Sequence, residues 1–143
     1  MVIKVLGIAL LVVAIRAGVI PMLNNCTAEG LFITTQDGRQ IDMKCYWTAR
    51  AALATAVLLG AVGLLIAMSR RKETRRDLGV LGILLGMVIA LLPTELIGVC
   101  AMDKTCLNVM KPSLILLGVI AALISAAVVA LAGRGSKDDE AAV

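Results

Sequence analysis

Apolar residues fill four long blocks of the chain, and short polar segments separate the blocks. Each block has about 20 residues or more, which as a helix rising 1.5 Å per residue can cross roughly 30 Å of hydrocarbon. The pattern predicts an all-α membrane protein, a bundle of four transmembrane helices. The predicted spans cover residues 2–23, 46–68, 78–97 and 112–132.

The composition favours the same class. Of the 143 residues, 60% are apolar and 17% are charged, and the mean hydropathy is +0.98. A soluble fold of this size could not hide so much apolar surface, and the spans leave little chain for a soluble domain. We do not expect the first block to be a cleaved signal, because Arg16 interrupts it and Asn25 stands where cleavage needs a small residue.

Positive charge concentrates between the second and third spans, where residues 69–76 include five Lys and Arg residues. A short, cation-rich loop stays in the cytoplasm by the positive-inside rule. We therefore expect a cytoplasmic loop at 69–77, both termini in the cytoplasm, and outer loops at 24–45 and 98–111. Residues 133–143 lack an apolar period and are predicted to be a disordered cytoplasmic tail. The cations favour lipid headgroups over nucleic acid as a partner.

The first outer loop has a strand–turn–strand pattern. Residues 31–36 and 39–44 flank Asp37–Gly38 and together contain the β-branched residues Ile33, Thr34, Thr35 and Ile41. This pattern predicts a small extracytoplasmic β-hairpin between helices 1 and 2, with a type I′ turn and with Ile33 and Ile41 on one apolar face. A lone hairpin is marginally stable and needs a staple at its base.

All of the cysteines fall in the predicted outer loops, where conditions are oxidising. Four cysteines allow three pairings, and the economical one gives each loop one disulfide. Zinc binding is disfavoured, because the chain has no CxxC spacing and no histidine. The expected bridges are Cys26 to Cys45 and Cys100 to Cys106.

Polar and aromatic side chains near the outer ends of the spans are candidate functional residues. Arg16 lies about 9 Å inside its span, so it either snorkels outward or joins Arg50 and Glu95 in an intramembrane polar cluster. Tyr46 and Trp47 fit an interfacial aromatic belt, with a quinone or lipid site as the sharper alternative.

Sequence features also mark helix starts and contact faces. Asp77 is a good N-cap for the third span, and Pro112 suits the first turn of the fourth. Small residues four apart predict close helix packing, either within the bundle or in a dimer. These positions are Ala52, Ala56, Gly60, Gly82, Gly86, Gly118, Ala122, Ala126 and Ala130.

Two segments resemble the paired signatures of an uncharacterised prokaryotic family of small four-span membrane proteins, a domain of unknown function. The segments are residues 44–51, Lys-Cys-Tyr-Trp-Thr-Ala-Arg-Ala, and residues 97–100, Ile-Gly-Val-Cys, with Cys106 and Pro112 following. The resemblance implies the architecture and assigns no activity. The layout also resembles, more loosely, that of bacterial quinone-linked disulfide-generating enzymes. In those enzymes a cysteine pair and a nearby arginine relay electrons to quinone, and the resemblance implies that Cys45 and Arg50 occupy similar positions here. The CxxC pair of those enzymes is absent.

The sequence therefore favours a non-catalytic membrane protein, an accessory or sensing subunit that contacts lipid and either another membrane protein or a second copy. Two alternatives stay open: a quinone-linked thiol-disulfide oxidoreductase, and a small-solute carrier that uses the Arg16, Arg50 and Glu95 cluster. No phosphate loop, metal site or activated nucleophile is recognisable, so we expect no catalytic residue, cofactor or metal.

Overall fold

The structure, a computed structural model, describes residues 1–24, 30, 33–42, 44–99 and 106–140. Within these ranges, Ile33, Cys106 and residues 134–140 are described by their backbone alone. Four of its helices are long and apolar enough to cross a membrane. The α-helices are α1 Val2–Leu23, α2 Lys44–Met68, α3 Lys72–Leu91 and α4 Lys111–Glu140. A π-helical turn at Leu92–Leu96 continues α3, and another at Cys106–Met110 precedes α4.

The helices alternate in direction and pack mainly as the pairs α1/α2 and α3/α4, which contacts of α1 with α4 and of α2 with α3 join into one bundle. Gly7 of α1 lies against Gly63 of α2, so the start of one helix meets the end of the next. The bundle therefore has two different ends. The end that holds Lys4, Met68 and Lys72 is called the basic end below, and the end that holds Cys45 is called the cysteine end.

One face of each helix is buried, and the opposite face is also apolar. Core side chains that are fully buried include Leu10 of α1, Leu59 of α2, Ile89 of α3 and Leu114 of α4. Large apolar side chains also cover the outward faces, as the exposure of Ile15, Leu58, Leu84 and Leu123 shows. A helix that is apolar on all sides suits a lipid environment, because its outward side chains can pack against the apolar lipid chains.

Glycine allows a close backbone contact between α3 and α4. A Cβ atom added at Gly118 would lie 2.6 Å from the backbone nitrogen of Ala90 and 2.7 Å from the carbonyl oxygen of Gly86. Many of the small residues singled out in the sequence thus pack inside the bundle, as expected where no hydrophobic effect joins helices in lipid. Ala126 and Ala130 instead face outward.

The third helix begins earlier than the sequence predicts. Asp77 is not its N-cap: α3 starts at Lys72 after Arg71, and no side chain caps it. Lys, Arg and Glu are good helix formers, and Glu73 in the first turn complements the helix dipole, so the helix extends beyond its apolar part. The predicted loop 69–77 is thereby reduced to residues 69–71.

Two other helix boundaries also lie outside the predicted spans. The second helix begins at Lys44, two residues before the apolar block, and α4 continues to Glu140 rather than ending at Ala132. Hydropathy locates the part of a helix that suits lipid, whereas polar residues can prolong the same helix into water.

A short strand pair lies between α1 and α2. The strands are β1 Ile33–Thr34 and β2 Gln40–Ile41, and they are antiparallel, with Ile33 opposite Ile41. This ladder is much shorter than the predicted hairpin, of which residues 31–32 and 43 lie outside the described part of the chain. The side chain of Ile41 is 50% exposed.

The turn between these strands differs from the predicted type I′. Within this turn Gly38 alone has a positive φ, of 76°, whereas a type I′ turn also requires a positive φ at Asp37. The N–H of Gly38 donates to the carbonyl of Thr35 at 2.9 Å, and the N–H of Thr35 donates to the carbonyl of Arg39 at 2.9 Å. These bonds match a three-residue loop that a left-handed glycine closes.

Candidate functional site at the cysteine end

A buried hydroxyl joins the start of α2 to the segment that follows α3. The Oγ1 of Thr48 donates to the carbonyl oxygen of Gly98 at 2.7 Å, and the carbonyl oxygen of Lys44 lies 3.2 Å from the same Oγ1. Thr48 is fully buried. The two sequence segments that carry the family resemblance therefore meet at this hydrogen bond.

The π-helical turn at the end of α3 places Gly98 within reach of Thr48. Pro93 is the second residue of this turn and has no N–H to continue the α-helical ladder. The N–H groups of Ile97 and Gly98 both donate to the carbonyl of Leu92 at 3.2 Å, and Gly98 takes a φ of 79° that suits glycine. Wide turns of this kind are rare and often occur at functional sites.

Cys45 lies one helical turn before Thr48 on the buried face of α2. Its exposed fraction is 0%, and the neighbouring Ala49 and Ala52 continue the same buried face. Cys26, Cys100 and the side chain of Cys106 lie outside the described residues, so both disulfide pairings stay predictions.

The outward face of α2 carries the aromatic residues and Arg50. The guanidinium of Arg50 donates from Nη2 to the Tyr46 hydroxyl at 2.7 Å and from Nε at 3.1 Å. The Tyr46 and Trp47 rings meet edge to face with centroids 5.8 Å apart, and Trp47 is 60% exposed. This geometry fits an interfacial belt, in which Tyr46 keeps the guanidinium directed along its own helix.

The structure does not bring together the three residues of the predicted polar cluster. Arg16, Arg50 and Glu95 are all exposed, and within the described ranges no ion pair links them. Arg16 lies on the outward face of α1, about 10 Å inside the helix end at helical rise. Its long side chain can reach the headgroup region from there by snorkelling.

Two buried polar residues, Thr48 and Ser125, were not among the functional candidates predicted from the sequence. Thr48 is a polar residue on an otherwise apolar face, which is a signal that the sequence does carry. Ser125 is fully buried beside Gly82, and its Oγ has no hydrogen-bond partner in the structure as described. Within the part of the chain that the structure describes, no group of three or more His, Cys, Asp or Glu side chains could hold a metal.

The fold defines a class, that of multi-pass helical membrane proteins with four candidate transmembrane helices. Within that class, residues 5–131 match the family model described as "Domain of unknown function (DUF4418)". The match covers most of the chain, and the chain belongs to this family, which confirms the resemblance to an uncharacterised family. No curated protein and no solved structure matches the chain.

Proposed function

We propose that the protein is a non-catalytic accessory or sensing subunit of a larger complex in the prokaryotic cell membrane. In this proposal both termini are cytoplasmic and the cysteine end faces outward, with the hairpin extracytoplasmic and the bridges Cys26 to Cys45 and Cys100 to Cys106 formed. The five cations of residues 69–76, which form the connection after α2 and the first turns of α3, support this orientation through the positive-inside rule.

The burial of Cys45 carries the proposal. A redox-active cysteine must meet its substrate, and reactive thiols lie in accessible, electropositive surroundings. Cys45 is 0% exposed and packs on the core face of α2, whereas Arg50 lies on the outward face, hydrogen-bonded to Tyr46. This arrangement favours a structural cysteine over the relay of a quinone-linked oxidoreductase. The carrier alternative is also less favoured, because its charged residues line no common interior path.

The hydrogen bond from Thr48 to Gly98 supports a role for the outer loops. The first loop ends where α2 begins, and the second follows the π-helical turn that ends at Leu96, so this bond joins the bases of both loops. A partner that contacts either loop would act on both helix ends. This coupling is what an accessory or sensing subunit needs.

A thiol-trapping experiment distinguishes a structural Cys45 from the redox-active cysteine of an oxidoreductase. The full chain in detergent is exposed briefly to a reduced thioredoxin-like protein and then to an alkylating reagent, with and without quinone. We expect no mixed disulfide and no labelling of Cys45 until the protein is both unfolded and reduced, because its sulfur is buried and, in this proposal, bonded to Cys26. The variant Gln36→Cys, on the exposed turn, serves as the reactive control. Rapid quinone-dependent cycling of Cys45 would overturn the proposal.

Photo-crosslinking in intact cells tests the accessory role. A crosslinking residue at Gln36 should give a discrete product with another membrane protein, and the same residue at Leu64, on the lipid-facing side of α2, should not. The product should then copurify with the unmodified protein in mild detergent. Equal, diffuse crosslinking from both positions would contradict a loop-mediated partner.

A further inference from the structure

A cavity of about 310 Å³ opens at the basic end of the bundle. The first turns of α1 and α3 and the end of the apolar part of α4 surround it. Its lining residues are Met1, Val2, Ile3, Lys4, Arg75 and Leu131. The cavity therefore lies where the headgroups of one membrane leaflet meet the helices.

The cavity is positively charged and already partly organised. Lys4 and Arg75 supply two cations, and none of the lining residues is acidic. The carbonyl of Ser69 accepts from Nε of Arg75 at 2.9 Å and also from its Nη2. These bonds hold the half-buried guanidinium in place and leave its Nη1 group to donate elsewhere, which lowers the entropic cost of binding a ligand.

The rest of the lining is apolar, which favours a lipid over a free anion as the ligand. Val2, Ile3 and Leu131 would contact a glycerol or acyl group, from which inorganic phosphate gains nothing. Arg and Lys beside such a surface suit a phosphate that carries an apolar tail. We propose that this cavity binds the phosphodiester headgroup of an anionic membrane lipid, with Lys4 and Arg75 on the phosphate.

Native mass spectrometry of the delipidated full chain tests the site, with phosphatidylglycerol and phosphatidylcholine as probes. We expect one phosphatidylglycerol to bind in preference to phosphatidylcholine. The pair Lys4→Gln and Arg75→Gln should weaken this binding about tenfold, since each loses a charge-assisted hydrogen bond. The matched pair Arg70→Gln and Arg76→Gln removes the same charge from exposed positions outside the cavity, and should change binding less than about twofold.

Three results would overturn the proposal: equal weakening by both pairs of substitutions, equal binding of the two lipids, or displacement of the lipid by inorganic phosphate at similar concentration. The last would assign the site to a free anion. If the double variant at Lys4 and Arg75 does not fold, Lys4→Gln alone still tests the site, because Lys4 is exposed.

Discussion

At the scale of single residues, Thr48 is the side chain with the clearest structural task. It is buried among apolar neighbours, and its hydroxyl reaches the backbone of a segment 50 positions away in the chain. A hydroxyl that meets a carbonyl in this way satisfies two groups that lipid cannot satisfy. The position of Gly98 therefore depends on one hydrogen bond and on the π-helical turn at Leu92–Leu96.

We predict that Thr48→Val will lower the free energy of unfolding by about 1 kcal/mol, because it keeps the side-chain shape and leaves the Gly98 carbonyl unpaired. Thr55→Val is the matched control. Its Oγ1 donates only within α2, to the carbonyls of Ala51 and Ala52, so we expect a much smaller effect. Reversible unfolding in mixed micelles measures both. Equal destabilisation by the two substitutions would show that the hydrogen bond from Thr48 to Gly98 contributes no more to stability than a bond within α2.

A second residue-scale prediction concerns Arg16 and Glu95. Both are exposed, and no ion pair joins them in the described part of the chain, so the effects of Arg16→Leu and Glu95→Gln should add to within about 0.5 kcal/mol. A double-mutant cycle on the same unfolding assay gives the coupling energy. Coupling well above that value would restore the predicted polar cluster and count against snorkelling.

At the scale of helices, glycine contacts determine how closely α3 and α4 approach. The backbone atoms that a Cβ at Gly118 would meet cannot move without shifting the helices. Gly60 offers a comparison within α2, because a Cβ there would meet only side-chain atoms, at 3.6 Å from Ala14 and 3.7 Å from Leu11. These two glycines thus look alike in the sequence and differ in the structure.

We predict that Gly118→Ala will destabilise the protein by about 1–3 kcal/mol, through overpacking against α3. Gly60→Ala should be neutral or stabilising by up to about 1 kcal/mol, since alanine is the better helix former and its Cβ has room. Thermal unfolding in detergent compares the two variants. A similar loss for both would mean that helix propensity or lipid exposure, and not the α3/α4 contact, governs the effect.

The sequence predicted the helices well and their ends less well. Hydropathy depends on local composition, so the apolar blocks gave the spans directly. The start of α3 at Lys72 was missed because charged helix formers look like a loop when read by charge alone. The contact between Thr48 and Gly98 was missed because it depends on a long-range approach and on the π-helical turn at Leu92–Leu96, which no local pattern encodes.

At the scale of the whole molecule, the two ends of the bundle differ in charge and chemistry. The basic end carries the short cation-rich connection at residues 69–71 and the first turn of α3, together with the cavity around Lys4 and Arg75. The cysteine end carries Cys45, the aromatic residues and the short strand pair. The proposed function and the predicted disulfides both require the cysteine end to lie outside the cell.

The most direct test of this orientation is labelling of intact cells with a thiol reagent that cannot cross membranes, with the labelled peptides read by mass spectrometry. A cysteine in place of Gln36 is preferable to one at Gly38, whose φ of 76° disfavours any other residue. We expect Gln36→Cys to be labelled and Thr74→Cys, exposed in the first turn of α3, to be spared until the cells are opened. Labelling of Thr74→Cys in intact cells, with Gln36→Cys protected, would invert the topology and contradict both the outer disulfides and the outer-loop function.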